Sequence, residues 1–536
     1  MALLPYAANL NSAFYPFLSR WNGRTVIVEG KDEFYKPKLT TNEPSNPANE
    51  GIAQVFYSEN VMPAANGIQS IGFLEQLEGI PGSVSFDDYF LLRDIDENKY
   101  LFSPANGNNY IYNANFGGWV AVGGPVAPLT TVAYINGHTY IYFSNVGCYE
   151  YNPTTNVLDA VVLVGVVAAD LEGICASNGY LIAWDHFSVY RSQPLSILDF
   201  TPNPAQGSGG SIPEGIAGQI VACLPIFGGF LIYTTKNIVA ASYTQNVRYP
   251  FVYKEIPGGA GIQRPNQVSW QENIGSHYAW TQAGLLNVTK SSANSVFNPV
   301  TDFLTCGVLE TFNAVTNLLE EVELVAPLNV KVAVLGQTWL VISYGISSYT
   351  HALVYDLNYK RWGKVKITHA CAAELILPNL SGAIGWDQLD VFSWTDLGSS
   401  SWSNLGTQLI TFEAPNTILA FMAEDGTVYS VDFRIIGADH AGVLFLGKYQ
   451  YVRNRWLSMQ ELSVECVKLT SNFQTFLIPT YDGKTLEAPT ELVDTNNNGL
   501  VKIYGSDIQG HNLSILEKGT FQISSITMDF KLEGAM

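Results

Sequence analysis

The chain has 536 residues, 47% of them hydrophobic and only 14% charged; single cores stop growing at roughly 250 to 300 residues, so two or more domains are expected. Its 47 acidic against 27 basic residues leave a net charge of −20, which argues against a sequence-reading nucleic-acid binder, because such binding is driven by Lys and Arg displacing counterions. The 47 Gly and 25 Pro, set among 29 Tyr, 27 Phe and 11 Trp, describe short strands joined by tight turns, an all-β composition.

Residues 1–75 alternate little and are rich in Asn and Pro, with an extended run at 36–47 (KPKLTTNEPSNP). They read as an N-terminal interaction arm. Met1 to Phe17 is apolar but has no basic leading segment, contains Pro5 and Asn9 and has no continuous hydrophobic run, so no secretion signal is expected.

Over 76–435 one unit recurs seven times: an aromatic or aliphatic strand, a Gly or Asn turn, and a second alternating strand. The copies begin near Tyr100, Tyr140, Tyr180, Phe230, Tyr278, Trp339 and Leu419, with spacings of 40, 40, 50, 48, 61 and 80 residues. Spacings of roughly 40 to 50 residues leave room for four short strands, the blade of a β-propeller. The expectation is an irregular propeller of about 6 to 8 blades, with the first strand of each pair innermost. The run Leu158–Ala169 is Val-rich and too short to span a membrane, so it suits a buried strand. The longer spacings hold a helix candidate at Leu309–Leu324, with Leu309, Phe312, Val315, Leu318 and Leu319 at helical spacing, and an insertion or degenerate blade at Ser381–Gly406. Over 436–536 longer alternating strands follow, at Leu462–Leu469, Thr475–Thr480, Val501–Tyr504, His511–Leu516 and Thr520–Leu532. Five such strands suit a C-terminal β-sandwich.

No motif assembles a catalytic, cofactor or metal set, and a non-enzymatic role is expected. Cys148, Cys175, Cys223, Cys306, Cys371 and Cys466 are far apart, without a CxxC pair, and read as buried reduced thiols. Asp494–Gly499 (DTNNNG) opens like a calcium loop, but the twelfth position is Gly505 rather than Glu, so a hairpin turn is expected. Asp94, Asp96 and Asn98 are followed by Lys99 where a metal loop wants Gly, and read as a turn. Ser393–Trp402 (SWTDLGSSSW) only approaches a sialidase Asp-box. The neighbouring acids Asp87 and Asp88, and Glu320 and Glu321, diverge on a strand or helix. Histidines 138, 186, 277, 351, 369, 440 and 511 are scattered singly. Gly207–Gly210 and Gly258–Gly261 lack the Lys and helix of a phosphate loop and read as flexible loops. Exposed Tyr and Trp could stack on sugars, although in a propeller most are core.

The layout, together with Asn60–Phe73 (NVMPAANGIQSIGF) and Asn512–Gly534 (NLSILEKGTFQISSITMDFKLEG), resembles the tail nozzle, or tail hub, proteins of short-tailed bacteriophages. The resemblance implies a homo-oligomeric ring, commonly a hexamer, in the virion below the tail adaptor protein. Tail fibres or spikes are further partners, and DNA is retained and then conducted through the lumen without sequence-specific binding. The acidic composition then has either of two uses: solubility of a large assembly, or a channel wall that repels phosphate. The competing expectation is a carbohydrate-binding or polysaccharide-degrading propeller that acts as a receptor binder.

Overall fold

The computed structural model describes residues 3–9, 26–28, 38–39, 55–76, 90–376 and 417–532, apart from short interruptions within the last three ranges. The protein is all-β, propeller-like, with a β-sandwich. Seven four-stranded antiparallel units follow one another over 90–121, 130–161, 173–211, 220–255, 268–295, 329–369 and 371–432, six of them separate sheets and the one over 329–369 part of a twelve-stranded sheet. They are called sheets 1 to 7 below. The first six are meanders, while sheet 7 takes its fourth strand, Gly72–Gln76, from far earlier in the chain.

Each of the seven sequence hairpins lies in one of these sheets, but as its second and third strands. An additional strand precedes each pair in its sheet. Turn chemistry sets the registers. Asn136–Gly137 and Asn178–Gly179 hold positive φ at both positions, and the pairs Ile135↔His138 and Ser177↔Tyr180 close two-residue loops around them. Such turns match the right-handed twist of the flanking strands.

Alternation explains why the second strands are continuously apolar. On His138–Phe143 in sheet 2, Ile141 and Phe143 join Phe102 and Ile111 of sheet 1, whereas Tyr140 and Tyr142 join Ile174 and Leu181 of sheet 3. In sheet 5, Leu286 packs with Leu231 and Tyr233 of sheet 4, and its neighbour Leu285 packs with Leu340 and Leu353 of sheet 6. A strand buried on both faces has no position left for a charged side chain.

Two compact units divide the chain: 1–74 with 213–369 and 431–536, and 75–212 with 370–430. The first holds sheets 4 to 6 and the sandwich. Sheet 6 continues through Val61–Ala64 and Gly67–Ser70 to Phe521–Leu532, Leu457–Leu469 and Leu500–Tyr504, and Leu3–Asn9 pairs along Phe521–Leu532. The second sandwich sheet is seven-stranded and contains Val55–Glu59, Gly442–Tyr451, Asn512–Gly519 and Gln474–Thr480. Strands from the first 75 residues thus lie in both sandwich sheets. The two segments that carry the family resemblance are neighbours: Ile68 and Gln69 pair with Ile523 and Gln522. Ser70 Oγ also accepts from Phe521 N at 2.8 Å.

The helix expected at Leu309–Leu324 is a hairpin of Val308–Asn313 and Leu318–Glu323. Asn313 Oδ1 accepts from the amides of Val315 and Thr316, and Asn317 adopts positive φ. A side chain that bonds the local backbone favours a turn over helix. Phe312, Leu318 and Leu319 pack against Val443, Phe445 and Phe476, which explains their apolar spacing. The one α-helix among the described residues is Asn298–Thr305, which buries Val300 and Leu304.

Glu517 is fully buried in the sandwich. Thr475 Oγ1 donates to its Oε2 at 2.5 Å, while Oε1 has no partner. Burial pushes its pKa up to about 8. The folded state therefore holds a proton that the unfolded state loses near its ordinary value of 4.5, and the resulting stability falls as pH rises towards 8. Glu517→Gln should raise the denaturant midpoint at about pH 8.5, by the order of 1–3 kcal/mol, and leave it nearly unchanged at about pH 5. For the sheets, Ile141→Ala should cost about 2–5 kcal/mol, whereas Val162→Ala, at an exposed position, should cost under about 0.5 kcal/mol in the same denaturation series.

Candidate functional site

In the unit formed by 75–212 and 370–430, the run Leu158–Ala169 is not a buried strand. Only Val157–Val161 is strand, and it is outermost in sheet 2, paired on one side with Gly147–Asn152. Leu158 and Leu163 turn inward, but Val162 is 77% exposed and Val164 and Val167 also face solvent. Hydropathy shows that a run is apolar and not whether a core or an exposed surface holds it. The edge is firmly held. Val164 N donates to Leu198 O at 2.9 Å and Phe200 N donates to Val164 O at 2.7 Å. Between them Gly165, at φ +83°, lies where a Cβ would come within 2.4 Å of Thr201 N. In the turn before Leu198, Leu195 is 89% exposed. A fixed outer edge with several exposed apolar side chains is suited to covering by another protein.

A second constellation lies in the other unit, where Val55–Glu59 approaches sheet 6. Tyr57 OH donates to Glu59 Oε2 at 2.5 Å and accepts from Phe312 N at 3.2 Å. Glu59 Oε1 meets Lys366 Nζ at 3.1 Å, and Lys364 Nζ lies 4.0 Å from the Tyr57 ring centroid. Arg361 donates to the carbonyls of Ala64 and Gly67. Tyr57, Glu59, Lys364 and Arg361 are all buried, so the group fastens N-terminal strands to sheet 6. Sequence reading missed it. The alternation of KVKITH hides which lysine turns inward.

The sequence candidates do not converge. His138 and His186 are exposed beside Glu150 and Glu172. His277 is buried, accepts from Tyr233 OH at 2.8 Å and donates to Pro225 O at 2.8 Å, and burial lowers its pKa to about 4. His369 is likewise neutral between Ser343 and Ile367 O. His351 stacks on Tyr344, and His440 and His511 lie outside the described residues. Cys148, Cys175, Cys223 and Cys371 are buried, Cys306 is half-buried, and Cys466's side chain lies outside the description. Burial pushes the Cys148 thiol up to about 12.

Glu320 and Glu321 occupy successive positions of an exposed strand and point apart, with Glu320 accepting from Asn313. The DTNNNG segment falls at a hairpin, since Thr495–Asn497 pairs back on Leu500–Tyr504 with Asn497 opposite Leu500. Gly209 and Gly210 belong to strand Gly209–Ser211, not to a flexible loop, and Gly261 packs tightly on the Thr235 backbone. Asp87, Asp88, Asp94, Asp96, Asn98 and Ser381–Gly406, with the Asp-box-like Ser393–Trp402, lie outside the described residues. Among the described residues no group of three or more His, Cys, Asp or Glu is placed to hold a metal, and no helix is long and apolar enough to cross a membrane.

No protein-family model matches the chain, and no curated protein matches it. Among solved structures, Kluyveromyces lactis Hsv2 is similar over 52% of this chain and 78% of its own, at 11% identity and a TM-score of 0.30.

The buried lysine gives a pH signature. Desolvation, eased by Glu59 and Glu310, lowers Lys364 from 10.5 to about 8. Below that pH the lysine is charged in both folded and unfolded states. Between about 8 and 10.5 only the unfolded state is protonated, so stability rises with pH. Relative to Lys364→Met, the native chain should gain on the order of 1–3 kcal/mol between about pH 7 and about pH 9.5. A flat difference in paired denaturation curves would contradict this placement.

Proposed function

We propose that this chain is a non-enzymatic structural subunit of a virion. It forms a homo-oligomeric ring, a hexamer in the family it resembles, at the nozzle or hub of a short bacteriophage tail. The observation that carries the reading is the fixed apolar edge at 157–167, bonded at Val164 to the segment 198–200 that follows the turn carrying exposed Leu195. Repeating one edge-to-neighbour contact around a rotation axis closes a ring. The ring sits below the tail adaptor, offers its outer surface to fibres or spikes, and surrounds DNA. A net charge of −20 suits a conduit, because like charge facing phosphate avoids the counterion-release binding that would hold DNA in place. Support from the sequence comes from the layout and from the segments 60–73 and 512–534.

Purified chain, alone and mixed with the adaptor, should give rings with a central hole by negative-stain microscopy and a multiple of the 58.7 kDa chain mass by light scattering. Val162→Asp should leave the fold intact, since the side chain is exposed, and should shift the population to monomer. A wild-type chain that stays monomeric with and without adaptor would overturn the ring.

A further inference from the structure

The sandwich carries a feature that ring assembly does not use. At one end of it, where Gln474–Thr480 of one sheet approaches Leu457–Leu469 and Gln509–Gly510 of the other, an open cleft of about 700 Å³ is lined by Trp456, Pro479, Tyr481, Glu487, Thr490 and Gln509. Pockets that hold small ligands span roughly 300–1,000 Å³. The sheets fix its walls. Trp456 immediately precedes Leu457, which pairs with Gly510, and Tyr481 immediately follows Thr480. Thr490 pairs with Leu477, and Glu487 N donates to Pro479 O at 3.0 Å.

The two aromatic rings stack on each other, centroids 5.4 Å apart and planes 23° from parallel. Tyr481 remains 47% exposed. Each ring of the stack covers one face of the other, which leaves single outer faces open rather than the angled walls of a cage, so the geometry suits a flat, C–H-bearing face and not an ammonium head. Glu487, Thr490 and Gln509 bring two carboxylate acceptors, a hydroxyl, and an amide that both donates and accepts. Among the described residues the lining includes a carboxylate and no Lys or Arg, which disfavours an anionic ligand.

We propose that this cleft binds a neutral pyranose saccharide, with one sugar face on the outer, exposed side of the Trp456–Tyr481 stack and ring hydroxyls bonded by Glu487, Thr490 and Gln509. The cleft lies within one chain, so its function does not depend on the ring. Removing either the platform or the carboxylate weakens binding without touching assembly.

The test is titration calorimetry of the full chain with maltohexaose, cellohexaose and chitohexaose, and with tetramethylammonium as a cationic probe. At least one hexasaccharide should bind. Tyr481→Ala should weaken it by about tenfold or more, and Glu487→Gln should weaken it severalfold, while each variant keeps the wild-type unfolding midpoint and assembly state. The cationic probe should not bind. Failure of all three saccharides on wild-type chain, binding unaffected by both variants, or binding of the cation alone would each overturn the proposal, and none would bear on ring formation.

Discussion

Burial of a strand on both faces is the constraint from which the rest of the fold follows. Tyr142 and Phe143 are adjacent in sequence, point to opposite faces, and are both fully buried because sheets 1 and 3 flank sheet 2. A single four-stranded sheet of this composition would expose one apolar face. Adjacent sheets are therefore required by the residues themselves. Polar atoms that enter such a core must be paired within it. Tyr142 OH accordingly reaches the carbonyls of Ala168 and Leu171, and Tyr233 and His277 bond each other between sheets 4 and 5.

Local pattern made the sheets legible. Tyr140, Tyr180, Phe230, Tyr278 and Trp339 each mark a second strand that is almost wholly buried, and in sheets 2 and 3 an Asn–Gly turn marks where it begins. Long-range pairing was not legible. Nothing in Gly72–Gln76 announces that it completes a sheet begun at Cys371, and nothing in Leu3–Asn9 announces Phe521–Leu532 as its partner. Spacing also misled where two periods coincide. Phe312, Leu318 and Leu319 fit a helical stripe, yet they are the inward residues of a hairpin whose turn Asn313 sets. Helix Asn298–Thr305 spans only eight residues, too few for a clear amphipathic repeat. The cleft was beyond reach because its residues are distant in sequence: Trp456 precedes one strand, Tyr481 follows another and Gln509 lies on a third.

Buried ionisable groups in the unit holding the sandwich have a different role from the apolar cores. Lys364, Glu59 and Arg361 sit where N-terminal strands join sheet 6, and Glu517 sits within the seven-stranded sheet. Each is costly to desolvate, and replacing such groups by apolar ones is often neutral or stabilising. Their contribution lies in register. Arg361 finds the carbonyls of Ala64 and Gly67 only in the observed pairing, and Asn60 Oδ1 accepts from Lys366 N at 2.9 Å in the same alignment. A segment that must find its partner across roughly 300 intervening residues gains specificity from polar contacts that tolerate no slip.

The valine edge at 157–167 links this architecture to the proposed ring, because it is rigid, apolar and unlike the inward-facing strands beside it. Hydrogen–deuterium exchange of the assembled particle against the dispersed chain tests that link most directly. The account predicts that amides of 157–167 and of the turn carrying Leu195 exchange more slowly in the assembly. Equal exchange rates in the two states would contradict it.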